Sequence, residues 1–303
     1  MKWNIYSKLW MMFFVLMGAA CTNQVEDAIP LSDQPIEFSV QSDWKEIPNT
    51  RLNAGRDSFA PNDTIQIFGF HRPSSGDSVK FMYRVKEPER GQIVVLDSTG
   101  WNYSPKRFWP KEGKLDFYAG YPHYSVWYNN TKKMMAYEQT VNPLQLDLLW
   151  GDSTGLDCTT TDRSTKVKIT MKHALAKVII RFDELSLGKI KQAVVSAYKK
   201  GYFFKTDSQG IPIWNVDKTS IQTDTLSPYK NQPTIGDATV FILPDMITGL
   251  ILIKDDETTI DVSAKIQEYT FKAGKVYNLK ISKGVQNNTN TRSIEMSVRC
   301  VSE

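Results

Sequence analysis

Cysteine and histidine are scarce, with three of each in 303 residues. Cys21, Cys158 and Cys300 are too few for a disulfide framework, although export permits a bond between Cys158 and Cys300. His71, His123 and His173 stand far apart with no metal-ligand spacing, and His173 reads as a satisfied structural residue. The acidic run Asp255–Asp261 (DDETTID) lacks the glycine and ligand alternation of a calcium loop, so a solvated turn is expected. A Gly-rich phosphate loop, a nucleophile elbow and a Cys-His pair are also missing. No basic stripe with interleaved aromatics appears and the formal charge is only +4, so nucleic acid is not an expected partner. No feature asks for a metal, a cofactor or catalysis, and stability is left to a hydrophobic core.

The N-terminus carries Lys2 and Lys8 and no acid, then the unbroken apolar run Leu9–Ala20 (LWMMFFVLMGAA). That run is too short to span a bilayer as a permanent helix and suits the apolar region of a signal peptide. Gly18-Ala19-Ala20 then meets Cys21, a junction that resembles the lipobox of bacterial lipoproteins, where the cysteine is acylated and becomes the mature N-terminus. Gly18 departs from the pattern by standing where leucine is usual, with Leu16 further back. The alternative is an ordinary signal peptide cut near Ala20, with a coincidental cysteine. Several acyl chains, at ~0.8 kcal/mol per buried methylene, hold a protein stably on a membrane. Removal of residues 1–20 leaves 283 residues with a formal charge of +2, enough for two domains.

The dominant signal beyond this leader has a period of two. Ile36, Phe38 and Val40 alternate with Glu37, Ser39 and Gln41. Ile65 and Ile67 follow the same rule, as do Leu115, Phe117, Ala119 and Tyr121, and then Val178, Ile180 and Phe182; Val276, Leu279 and Ile281 crowd the last stretch before residue 284. Turn residues separate the runs: Asn62-Asp63, Ser74–Asp77, Lys111–Gly113, Asp207–Gly210, Ala273-Gly274. Short strands at regular intervals predict an all-β protein of the sandwich kind. Lys189–Tyr198 fits either a helix or a strand. The Ser/Thr/Asp-rich GDSTGLDCTTTDRST marks a seam between two blocks, 35–161 and 162–284.

Residues 101–110, WNYSPKRFWP, crowd Trp101, Tyr103, Phe108 and Trp109 around two prolines. Exposed, such rings make a sugar platform; buried, they make a hairpin that closes a sandwich, since Trp and Tyr bury large area while each keeps one polar group needing a partner. The expectation is a core hairpin.

FAPNDTIQIFGF, WNYSPKRFWPKEGKLDFYAGYP, LDLLWG, VKITMKHALAKVIIRF, FILPD and FKAGKVYNLKIS, in this order and spacing, resemble the fimbrillin-like proteins. These are surface-pilus and adhesin lipoproteins of Gram-negative gut and oral anaerobes. The resemblance covers almost the whole mature chain and implies two transthyretin-like β-sandwich domains. It also implies a fimbrial subunit (stalk, anchor or accessory) anchored in the outer membrane through Cys21. Its partners are then other fimbrial subunits and, for an adhesin, host or bacterial surface ligands. The competing expectation is a monomeric, lipid-anchored glycan-binding protein; an unrecognised hydrolase is a distant third.

The two ends of the mature chain echo one another: IEFSV at 36–40 and IEMSV at 294–298. Between the folded body and the second copy lies KGVQNNTNTRS, a polar stretch that reads as a flexible linker, so residues 285–303 read as a linker and a strand. That strand is either a donor that completes a neighbouring subunit through Ile294, Met296 and Val298, or one that pairs within its own domain. In pilus-forming members of the family a trypsin-like protease cuts after an arginine and removes the first strand. Arg51 occupies a suitable polar, Pro48-containing stretch, with Arg56 as a rival. Cleavage at Arg51 would take away Ile36, Phe38 and Val40 and open an apolar groove.

Overall fold

The computed structural model describes residues 29–43, 58–139, 146–226, 237–284 and 294–300. The period-two pattern folds as alternation requires, with one set of side chains turned into a core and the other outward. In chain order the first strands are β1 (Leu31–Pro35), β2 (Phe38–Ser42), β3 (Thr64–Arg72), β4 (Val79–Met82), β5 (Gln92–Asp97) and β6 (Gly100–Asn102). Next come β7 (Phe108–Pro110), β8 (Lys114–Tyr121), β9 (Val126–Asn129), β10 (Met134–Glu138), β11 (Leu149–Asp157) and β12 (Val167–His173). The chain continues through β13 (Ala176–Phe182), a single helical turn α1 (Glu184–Leu187), β14 (Ile190–Tyr198), β15 (Lys200–Phe203), β16 (Asn215–Val216) and β17 (Ile221–Leu226). It ends with β18 (Asp237–Ile242), β19 (Ile247–Lys254), β20 (Thr259–Asp261), a second turn α2 (Ser263–Ile266), β21 (Val276–Lys283) and β22 (Ile294–Cys300).

The protein is all-β and built as two sandwiches. In the first, β3, β5, β6, β2, β12, β11 and β8 follow one another, and β3 also pairs with β8, so the sheet closes on itself. β4 adds to the far part of β3. Every pairing in it is antiparallel except β2 on β12. Ile36, Phe38, Ile65, Ile67, Leu115, Phe117 and Trp109 fill its interior. In the second, the sheet β18-β13-β21-β22 faces the sheet β17-β14-β19-β20 across Val178, Ile180, Val195, Leu250, Leu252 and Leu279. The ambiguous stretch at 189–198 is therefore strand: β14 lies between β17 and β19, and two neighbouring ladders hold it extended.

A small third sheet, β16-β15-β10-β9, takes strands from both halves of the chain, with Met135 opposite Phe203 and Tyr137 opposite Gly201. Beneath it an aromatic core of Phe68, Tyr118, Trp150 and Phe203 joins the two sandwiches, with the Trp150 and Phe203 rings edge to face at 4.8 Å. The polar stretch from Gly151 is not an open seam. β11 runs through it to Asp157, and Cys158 beyond is a buried free thiol, pushed up to about 11 by burial. β12 belongs to the first sheet, so the chain passes between sandwiches at Ala174-Leu175 rather than near 162. The reason is the alternation of Val167, Ile169 and Met171, which presents a buried face to the same core as β2.

The crossing buries charge. His173 Nδ1 donates to Asp147 Oδ2, and Asp147 Oδ1 accepts from the Leu148 N–H at 2.8 Å. His173 is thus satisfied at one nitrogen only, because its buried Nε2 has no hydrogen-bond partner. Lys177 is 2% exposed, and burial pushes its ammonium down to about 8 against the pull of Asp147. A lysine with a folded pKa below its unfolded value is costly while charged in both states. That cost is relieved as pH rises from about 8 toward about 10.4, at up to ~1.4 kcal/mol per pH unit. Cys158, whose thiol burial pushes up to about 11, works in the opposite sense at the alkaline end of that range. The comparison is therefore between the native protein and Lys177→Met, unfolded in denaturant near pH 7 and again near pH 9.5. The variant is expected to be the more stable at neutral pH, with its advantage shrinking at the higher pH.

Candidate strand slot

The segment carrying Ile36, Phe38 and Val40 lies in the middle of the first sheet. These side chains are 0%, 1% and 8% exposed, while Glu37 and Ser39 face solvent. Phe38 meets the Phe117 ring edge-on at 5.2 Å and the Tyr103 ring at 5.8 Å. One backbone edge runs along β12 in parallel, with Phe38 opposite Val167 and Val40 opposite Ile169. On that side the Glu37 carbonyl accepts from Val167 N–H at 2.8 Å, and at the far end Asp43 N–H donates to Met171 O.

The other edge faces residues 100–107, which supply little strand. β6 is three residues long and is in register with β2 only at Phe38 and Trp101. Side chains complete what this short strand leaves out. Trp101 Nε1 donates to Val40 O at 3.0 Å, and Tyr103 Oη donates to Ile36 O at 2.7 Å. Ile36 N–H donates to Arg107 O at 2.8 Å, and Arg107 N–H to Tyr103 Oη at 3.3 Å, so these groups close a ring of hydrogen bonds. Burial pushes the Tyr103 hydroxyl up to about 12, which keeps it protonated as a donor. Upstream, β1 lies on β7, and Lys111 N–H donates to Pro30 O.

Of the four rings in residues 101–110, Trp101, Tyr103 and Trp109 are core, as expected, whereas Phe108 is exposed, because β7 turns Trp109 inward and its neighbour Phe108 out. β6 and β7 do not pair with one another as a hairpin. β6 pairs with β5 and β2, and β7 with β1, because the segment is spent on holding the chain at 31–42. The bulk of Trp101 and Tyr103 and their need for polar partners are legible in the sequence; that both partners lie on one chain segment, with β12 as its other wall, is not. The alternation of VKITM, matching that of IEFSV, was the available signal.

Ile294, Met296 and Val298 sit differently. β22 pairs antiparallel with β21, with Ile294 opposite Lys283, Met296 opposite Ile281 and Val298 opposite Leu279. It is the edge strand of its sheet. Ile294 and Met296 are half-buried against the second core, Glu295 and Ser297 are exposed, and Tyr269 Oη donates to Met296 O at 3.2 Å. Of the two placements open from sequence, the chain here shows the strand seated in its own sheet. Cys21, Arg51 and Arg56 lie outside the described residues. His71 is buried with its Nε2 on Glu112 O at 2.9 Å, and no group of residues suited to hold a metal occurs among the described residues.

The family model described as fimbrillin-like matches residues 50–298. The chain is similar in structure to a candidate cell adhesion protein from Bacteroides uniformis, at 16% identity over 89% of this chain and 98% of that one, with a TM-score of 0.53. It is also similar to the fimbrial anchor protein Mfa2 from Porphyromonas gingivalis, at 9% identity over 87% and 96% of the two chains, with a TM-score of 0.44. A third is the tip fimbrial protein Mfa3 from the same organism, at 9% identity over 80% and 95%, with a TM-score of 0.42. The first likeness shows a shared fold. No curated protein matches the chain.

Trp101, on the β6 wall of the slot, packs edge-on against Phe59 at 5.1 Å and bonds the β2 backbone at Val40 O. Trp101→Ala removes a buried ring and leaves a buried carbonyl unpaired, which is expected to lower unfolding free energy by about 3–5 kcal/mol in denaturant titration. A loss within experimental error would show that the ring is not part of the core.

Proposed function

The chain belongs to the fimbrillin-like family, and we propose that this fimbrial, adhesin-like protein is a structural subunit exported as a lipoprotein and assembled by exchange of strands. The observation that carries the reading is the contrast between the two echoing strands. β2 is central and walled on both sides, with Phe38 and Val40 buried, so in this reading it leaves only after the chain is cut behind it. β22 is an edge strand paired on one side only, and its Ile294 and Met296 side chains are only partly buried. Moving β22 from its own edge into a vacated slot on another subunit brings Ile294, Met296 and Val298 to the places of Ile36, Phe38 and Val40. Full burial contributes on the order of 1.5–3 kcal/mol per side chain, less what Ile294 and Met296 already gain against β21. An emptied slot between β12 and β6 is in turn an open edge, a template for a strand.

In this reading Arg51, or its rival Arg56, is where processing separates β2 from the body, and an anchor subunit keeps its first strand by escaping the cut. Cys21 is the outer-membrane attachment, and other fimbrial subunits are the partners. The competing glycan-binding reading needed exposed rings, and Trp101, Tyr103 and Trp109 are buried instead.

Limiting trypsin on the mature protein, with and without residues 290–303, tests the assembly. Polymers that form after cleavage only when the tail is intact are expected. Polymers that form regardless of the tail, or a cleaved protein that stays monomeric with β22 in its own sheet, would refute strand exchange. Cys21→Ser is expected to release the protein from membranes or to leave it as precursor; unchanged partitioning and processing would sink the anchor.

A further inference from the structure

We infer that Trp101 and Tyr103 make the slot directional, so that it accepts a strand only when it runs parallel to β12. The inference rests on the strand-exchange reading for what enters the slot, but its geometry is that of the resident strand. Backbone groups of successive residues in a strand point to opposite edges. Glu37 turns its carbonyl to β12, and Ile36 and Val40 turn theirs to the aromatic side. The two side-chain donors are spaced to meet carbonyls four residues apart on that edge, with the single β6 pairing at Phe38 between them.

Reversing the strand exchanges the places of N–H and C=O groups along the edge. A tyrosine hydroxyl tolerates the exchange, since it both donates and accepts. An indole N–H only donates, so at Trp101 it would face an N–H and leave two buried donors unsatisfied. Trp101 is therefore the residue that sets direction, and Tyr103 adds strength at the other end. IEMSV entering in the same direction as IEFSV offers the carbonyls of Ile294 and Val298 to Tyr103 and Trp101.

Amide hydrogen exchange on the uncleaved chain tests the clamp. Trp101→Phe and Tyr103→Phe keep a ring and lose the donor. Each is expected to reduce protection of residues 36–42 about fivefold, the loss of one net hydrogen bond, with protection of 64–72 unchanged. Unaltered protection of 36–42 in both variants overturns the clamp; if Trp101→Phe does not fold, Tyr103→Phe alone decides it. Direction is tested on trypsin-cleaved protein with labelled synthetic peptides: residues 35–43, the same residues in reverse order, and residues 294–300. Capture of the 35–43 peptide with exclusion of its reverse supports the inference, and equal capture of both overturns it. Capture of 35–43 without 294–300 would remove the tail as donor while leaving the directional slot standing.

Discussion

A strand buried in the middle of a sheet must have both rows of its backbone groups satisfied, and β2 meets this requirement by two different means. β12 satisfies one row with an ordinary parallel ladder. The other row meets a three-residue strand and then side chains, the Trp101 indole and the Tyr103 hydroxyl. Without β2 the first sheet no longer closes, because among the described residues no strand pairing joins β12 to β6 directly. The aromatic crowding at 101–110 follows from the same requirement: rings large enough to fill the core beside Phe38 also reach the backbone with a polar tip.

The two sandwiches are held together by backbone pairing as well as packing. β10 comes from the first half of the chain and β15 from the second, and their ladder runs over four residue pairs. The core beneath is built of Phe68, Tyr118, Trp150 and Phe203. Buried charge sits close to this junction, where Asp147 lies within reach of both His173 and Lys177. Burying charge costs stability unless it is paired, and here the pairing is split between a hydrogen bond to one group and attraction to another.

Alternation made the strands legible in the sequence, because a period of two states which side chains share a face. It says nothing about which strand lies alongside. IEFSV and IEMSV have the same pattern, yet one became a central strand with a parallel neighbour and the other an edge strand on an antiparallel one. The same gap explains the misplaced change of sandwich: VKITM reads as the first strand of a second block until β2 is seen beside it. At 189–198 local pattern fitted two states, and only the ladders to β17 and β19 choose between them. The burial of Trp101 and Tyr103 was legible from residue type and spacing. Their hydrogen-bond partners were not, since Ile36 and Val40 lie more than sixty residues earlier in the chain.

The placement of the two ends bears on what a strand-exchanged assembly would withstand. The slot belongs to the first sandwich and β22 to the second. In such an assembly, tension entering at the slot of one subunit would leave through the tail strand rooted in its other sandwich. Between those points the load meets the shared sheet of β9, β10, β15 and β16 and the aromatic core under it, rather than a linker alone. In the slot itself, load along the strand acts on several ladder bonds and on both side-chain clamps at once, because they are spread over the same five residues. At β22 in its own sheet one ladder and a single side-chain bond, from Tyr269 Oη to Met296 O, resist removal. The same backbone groups therefore hold weakly where the strand must leave and strongly where it would have to stay.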